Sequence, residues 1–313
     1  MNSVDYISVE FGRLRPEEVV HHRRDLIQFG EALTMGEVIH RPKQTPVRPC
    51  NLALKTIHKS KLPIYACASD SAYPVEVELL KNLEHPHIIK FVDSFEDAKS
   101  FLLVMELVNN SIDLYDFTMK RIDTTEEILA YLFAQVADAL VFLHCHDIAH
   151  LDVKLENVVT DEHLNCKLVD FGSAAVCRDD ELFHHPRCSE PACSPEIWSG
   201  LSFYGKDADC WALGVLLYRL CYRETPFISC DEALSLDYVL PEDVSPELDD
   251  LFSRIFHEIA LCRAAAWEVR HHPWTTSGNR GDVLLSDLIE EDSGHNSVEV
   301  EDNTEDGGYL SEK

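Results

Sequence analysis

His150-Leu151-Asp152-Val153-Lys154-Leu155-Glu156-Asn157 is followed, thirteen residues after Asn157, by Asp170-Phe171-Gly172, and this pairing decides the reading of the chain. Asp152 is a carboxylate that can take a proton. Lys154 is a cation that can meet a phosphate. Asn157 and Asp170 supply an amide oxygen and a second carboxylate, hard donors that suit magnesium. The set fits transfer of a phosphoryl group from ATP to a hydroxyl.

Around that stretch the composition sets bounds. A chain of 313 residues, 45% hydrophobic, is long enough for one large domain or two lobes sharing a cleft. The apolar run Phe101-Leu102-Leu103-Val104-Met105 reads as a buried strand, and no uninterrupted apolar run approaches the roughly 18–20 residues that span a membrane. Met1 to Arg24 mixes charges and lacks the apolar core of a signal peptide, so a cytoplasmic or nuclear location and no membrane partner are expected. The eleven cysteines are scattered without a CxxC pair and are expected to be reduced thiols. A net charge of -29 argues against nucleic acid and for a basic peptide steered by an acidic surface. The expected assembly is a monomer.

From Asp25 to Leu107 strand-like runs alternate with turns. Asn51 to Ile57, Ile88 to Phe95 and Ser100 to Met105 read as strands, and Val75 to Leu83 as a helix with Pro74 in its first turn. Residues 108–275 read as mostly helical. Thr124-x-x-Glu127 is read as a capping box opening an amphipathic helix, and a second apolar helix runs from Asp209 to Cys221. Residues 276–313 hold eleven acidic residues against Arg280 and Lys313 and read as a disordered acidic tail. The class is α+β, with elements segregated along the chain. Residues 1–24 read as an N-terminal extension.

These motifs, in this order, resemble the eukaryotic protein kinase superfamily over about residues 25–275. Asp170-Phe171-Gly172-Ser173-Ala174-Ala175 and Asp113-Leu114 look closest to the calcium/calmodulin-kinase group, with PAS-domain kinases the nearest likeness. The resemblance implies a bilobal fold, with a small antiparallel-sheet N-lobe (25–107) bearing a helix C and a larger helical C-lobe (108–275). Leu52-Ala53-Leu54-Lys55 stands for the family's V-A-I-K, so Lys55 would hold phosphates, fixed by Glu76, with Glu78 as the rival. Asp152 would accept the substrate proton, Lys154 would neutralise the phosphate, and Asn157 and Asp170 would bind magnesium. Val38, Ala53 and Val159 would sandwich adenine, with Met105 as gatekeeper and Glu106 to Val108 as the hinge. His150, Phe171 and Leu80 would stack into a spine joining the lobes. Glu196, in Ser194-Pro195-Glu196, would pair with Arg263, and Asp209-Cys210-Trp211-x-x-Gly214 would anchor the catalytic loop. Lys154 also matches kinases acting on Ser or Thr. Asp113 and Glu156 stand where related kinases meet basic residues near the acceptor.

The chain departs from the family in three places. Gly30 to Val38 keeps glycines at Gly30 and Gly36, but it is one residue longer than the family loop and has Ala32 or Leu33 at its middle glycine. Glycine there lets backbone N–H groups approach phosphates closely. Leu151 replaces the arginine that meets an activation-segment phosphate, so phosphorylation there is not expected to be needed. Ser189 is the candidate for the family's substrate-docking threonine. The leading reading is a serine/threonine protein kinase using ATP and Mg2+. The alternatives are a pseudokinase acting as a binding or scaffold protein, and a small-molecule kinase.

Overall fold

Leu52–His58, the strand carrying Lys55, alternates buried and half-buried residues and forms the centre of a four-stranded antiparallel sheet. In a computed structural model of the chain, the residues described are 11–14, 52–62, 73–120, 124–178 and 181–288. Gly30, Gly36 and Val38 lie outside them. The sheet runs in the order β1 (Phe11–Leu14), β2 (Leu52–His58), β4 (Ser100–Glu106), β3 (Phe91–Glu96). Register pairs Lys55 with Leu103 and Ala53 with Met105. The helix α1, Val75–Asn82, buries Glu76, Val77 and Leu80, with Pro74 as its N-cap residue.

The expected strand at Ile88 begins only at Phe91. Ile88 is taken up by another partner: it bridges to Leu168, the Ile89 N–H donates to the Leu168 carbonyl at 3.0 Å, and the Leu168 N–H donates to the His87 carbonyl at 2.9 Å. This loop therefore ties the small lobe to the large one.

The C-lobe is built on two long helices. The first, Glu126–Cys145, buries Ile128, Leu132, Phe133, Val136, Leu140 and Leu143. Its N-cap residue is Thr125, one position beyond the expected box, and the Thr125 side chain lowers the pKa of Glu127. By length and composition this helix is apolar enough to cross a membrane, although polar residues interrupt its apolar run. Its apolar face lies in the core, packed against helices and strands of the same lobe. The second helix, Gly205–Tyr222, is nearly all buried because it runs through the lobe centre. One hydrophobic cluster extends from Ile57, Val77 and Leu80 in the small lobe through Met105 and Phe171 to Trp211, Phe252 and Trp274.

The packed chain extends past residue 275. The Asn279 N–H donates to the Glu127 carbonyl at 3.0 Å, the Leu285 N–H donates to the Glu162 carbonyl at 2.9 Å, and Leu285 is buried. Phe11–Leu14 likewise places part of the expected N-terminal extension in the sheet. Both boundaries read from sequence followed charge and motif, whereas these contacts are made largely through backbone groups.

Gly214 marks the tightest crossing of the buried helix. A Cβ there would meet Ile255 Cγ2 at 2.4 Å and Phe256 Cε1 at 2.9 Å. Gly214→Ala is expected to destabilise the fold by about 1–3 kcal/mol, as overpacking does. Urea unfolding measures this, and an unchanged midpoint would contradict the packing described.

Candidate active site

The catalytic stretch is shaped by alternation. Val153 and Leu155 are buried, while Asp152 and Lys154 are half-buried and Glu156 is exposed. Burying Val153 from the extended stretch points Asp152 and Lys154 to the other side, and a single helical turn, Leu155–Asn157, follows with Glu156 exposed. The segment starts at Leu151, which adopts a left-handed φ of 64°. The Asp209 carboxylate fixes that turn, accepting from the His150 N–H at 2.8 Å and the Leu151 N–H at 2.7 Å.

Asp152 is held through both oxygens. Oδ1 accepts from the Ser189 hydroxyl at 2.8 Å and from the Ser189 N–H at 3.2 Å. Oδ2 accepts from Asn157 Nδ2 at 3.0 Å and lies 2.8 Å from Lys154 Nζ. Lys154 also donates to Ser189 Oγ at 2.8 Å. Ser189, the residue read as the docking candidate, therefore touches both Asp152 and Lys154.

Lys55 Nζ lies 2.7 Å from Glu76 Oε1 and 2.7 Å from Asp170 Oδ1, joining positions 115 residues apart in the chain. Glu78 instead meets Lys81 on the exposed face of α1. Burial alone would lower the Lys55 pKa, but the two carboxylates outweigh it and the ammonium is held above its ordinary range. Burial pushes the Asp170 carboxyl up, and Lys55 more than reverses this, leaving it below its ordinary value. Behind Asp170, Phe171 meets His150 edge-on at 4.9 Å, and Leu80 is buried in the same cluster as Phe171.

The donor set passes a chemical test for magnesium. Asn157 and Asp170 offer hard oxygen donors, and this ion usually takes one or two protein oxygens while keeping waters and phosphates. Among the described residues no group of three His, Cys, Asp or Glu could form an all-protein metal cage. The described residues expected around a nucleotide come from two sheets and the link between them. Ala53 is on β2, Met105 and Glu106 end β4, Val108 follows it, and Val159 is in the strand Val158–Thr160. The Glu106 N–H is already engaged by the Lys90 carbonyl at 3.0 Å, and its carboxylate meets Lys167 at 2.8 Å.

The family model described as "protein kinase domain" matches residues 35–275. The chain belongs to this family. It is 35% identical over 286 residues to NUAK family SNF1-like kinase 1 of Mus musculus, covering 86% of this chain and 42% of that protein. Similarity to serine/threonine-protein kinase ppk6 of Schizosaccharomyces pombe is 32% over 227 residues, covering 71% of this chain and 29% of that one. The PAS domain-containing serine/threonine-protein kinase of Mus musculus is 34% identical over 202 residues, covering 64% of this chain and 15% of its own length. The chain therefore spans less than half of each of these relatives.

Within this kinase domain the activation segment, Ser173 to Cys193, departs from the expectation at its cysteines. Cys188 and Cys193 are joined by a disulfide, against the reading of all cysteines as free thiols. The two lie five positions apart, a spacing that is not a CxxC pair. Arg187 donates to the Ser173 carbonyl at 3.1 Å, and no local pattern signals that contact. The segment's far end is anchored by Glu196, whose two oxygens accept from Arg263 at 2.7 and 2.6 Å. Arg263 also lies over the Trp211 ring, 4.9 Å from its centroid.

Burial raises the Glu196 pKa, but Arg263 reverses this and holds the carboxyl below its ordinary 4.5. A depressed carboxyl contributes stability above its unfolded pKa and loses it as pH falls through the folded value. Glu196→Gln is expected to cost about 3 kcal/mol at neutral pH, because it leaves a buried guanidinium unpaired. The gap from the parent chain should narrow as the pH is taken below the ordinary carboxylate range. Chemical denaturation across pH measures both effects, and a gap independent of pH would contradict the pairing.

Proposed function

We propose that the chain is a serine/threonine protein kinase that transfers the ATP γ-phosphate to hydroxyls of protein substrates. The observation that carries this reading is the pair of bonds from Lys55 to Glu76 and Asp170, beside an Asp152 carboxylate oriented by Asn157, Lys154 and Ser189. ATP supplies the phosphoryl group when bound, and magnesium offsets the charge on its oxygens. Lys55, kept cationic by its two carboxylates, binds phosphate oxygens. Asn157 and Asp170 hold the metal. Asp152 accepts the proton of the acceptor hydroxyl, and Lys154 offsets charge on the moving group. Ala53 and Val159 enclose the adenine, and the hinge from Glu106 to Val108 pairs with it.

We further propose a preference for basic residues near the acceptor. Burial first, with repulsion from Asp116 and Glu156 added, pushes the Asp113 carboxyl up. Such crowded carboxylates favour a cation. Glu156 already meets Arg219 at 3.4 Å, so a substrate arginine would share or displace that partner.

Asp152→Asn is expected to lower transfer from labelled ATP to a basic peptide by about 10²–10⁴-fold, while ATP still binds. Equal transfer by parent and variant would refute the assignment. ATP binding with no transfer by the parent would instead support the pseudokinase reading, which the irregular Gly30–Val38 loop favours. Indifference between basic and neutral peptides would remove the substrate preference alone.

The activation segment supports a second expectation. Leu151 is buried with Ala149, Ala175, Cys177, Phe203 and Ala208, and Phe183 and Ile197 pack against this cluster. Apolar packing occupies the place where the family's arginine meets a phosphate. Phosphatase-treated protein is expected to keep its full transfer rate, measured beside untreated protein. Silence after treatment would contradict this.

A further inference from the structure

We propose that Cys188 and Cys193 form a redox site that sets how firmly Ser189 holds Asp152, and so couples phosphoryl transfer to the surrounding thiol–disulfide balance. This rests on the kinase reading above. The disulfide closes the short loop Ser189-Glu190-Pro191-Ala192, in which the Ala192 N–H donates to the Ser189 carbonyl at 2.8 Å. On one side of the loop, Arg187 is tied to the Ser173 carbonyl, just after Asp170-Phe171-Gly172. On the other, Ser194-Pro195-Glu196 is tied to Arg263. Between these anchors Ser189 makes the segment's hydrogen bonds to Asp152, through its hydroxyl and its N–H. A covalent closure removes conformational freedom from such a loop. Opening it leaves Ser189 held only by its own hydrogen bonds.

The position suits thiol exchange. Cys193 is buried and Cys188 half-buried, so Cys188 is the more accessible of the two sulfurs. Cys166 and Cys177 are both pushed up to about 12 by burial, which leaves them poor nucleophiles. The co-reactant is a low-molecular-weight thiol. Its thiolate attacks the Cys188 sulfur, breaking the S–S bond to give a mixed disulfide and the Cys193 thiolate. A second thiolate attacks the mixed disulfide and releases the Cys188 thiolate with the oxidised co-reactant. Each cysteine thiolate takes one proton, so one protein disulfide and two thiols become two cysteine thiols and one small disulfide.

The test uses the full chain in oxidised and in reduced glutathione buffers. Alkylation with mass analysis reports the bond, amide exchange reports the Ser189 N–H, and steady-state transfer to a basic peptide reports function. In the oxidised form slower exchange at Ser189 is expected, with kcat/KM for the peptide about tenfold higher, a fraction of what full misplacement of a reacting group costs. The KM for ATP should not move. Cys188→Ser and Cys193→Ser should each match the reduced parent in both buffers. Three results would overturn the proposal: a bond that stays open in oxidised glutathione, identical exchange and kinetics with the bond open and closed, or a redox response surviving in Cys193→Ser. Transfer absent in both buffers, with exchange at Ser189 still redox-dependent, would sink the kinase reading and leave the clamp in place.

Discussion

The site depends on one buried carboxylate. Asp209 is 1% exposed and sits in the first turns of the helix through the C-lobe centre. A carboxylate at that depth is costly unless its oxygens are satisfied. It is satisfied by the N–H groups of His150 and Leu151 and by His144 Nε2 at 3.0 Å. Those bonds hold Leu151 in a left-handed conformation that costs a branched residue about 1–2 kcal/mol. The turn made there lets Val153 and Leu155 enter the core while Asp152 and Lys154 face the cleft. Two positions further along the same helix, Trp211 carries Arg263 on its face. One helix therefore backs both the catalytic loop and the far anchor of the activation segment.

The second half of the site arrives from the small lobe. Lys55 comes from a strand, Glu76 from a helix and Asp170 from a C-lobe turn, and their charges are worth placing together only if the lobes keep their registration. The backbone bonds between residues 87–89 and Leu168 supply part of it, as does the hydrophobic cluster common to both lobes. Asp170, like Leu151, has a positive φ, at 61°. These two lie in the catalytic stretch and its partner motif, where surrounding contacts over-determine the backbone, while Leu164, Arg223 and Leu236 adopt the same region away from it.

Much of this was legible from local pattern. The alternation Val153, Lys154, Leu155 within the catalytic stretch shows in the residues which side faces in. The choice of Glu76 over Glu78 follows from helix geometry once Lys55 is placed, because two positions apart are nearly opposite faces. Less legible were features set by partners distant in sequence. Phe11–Leu14 joins the sheet through backbone hydrogen bonds that its composition does not signal. Residues 276–288 read as tail because they are polar, yet Gly278 fits against the backbone of Ala130 and Tyr131, where a Cβ would come within 2.5 Å. The capping position moved by one residue, since Thr124 and Thr125 are alike as sequence and the helix start decides between them.

Leu151 shows how one substitution redistributes the control of a segment. Where an arginine would await a phosphate, this chain buries a leucine among Ala175, Cys177 and Phe203. An arginine in that apolar nest would be a buried charge among apolar neighbours, so the nest suits leucine. Apolar contact is present as soon as the chain folds, and unlike a charge pair it is not weakened by salt. The segment is then fixed at three places by contacts that need no modification: the Leu151 cluster, Arg187 on the Ser173 carbonyl, and Glu196 on Arg263. The stretch between the last two carries Ser189, the residue that touches Asp152, and its added restraint is covalent. That bond, Cys188–Cys193, adds to the three-point fixing a restraint whose making and breaking is a covalent, chemically reversible event.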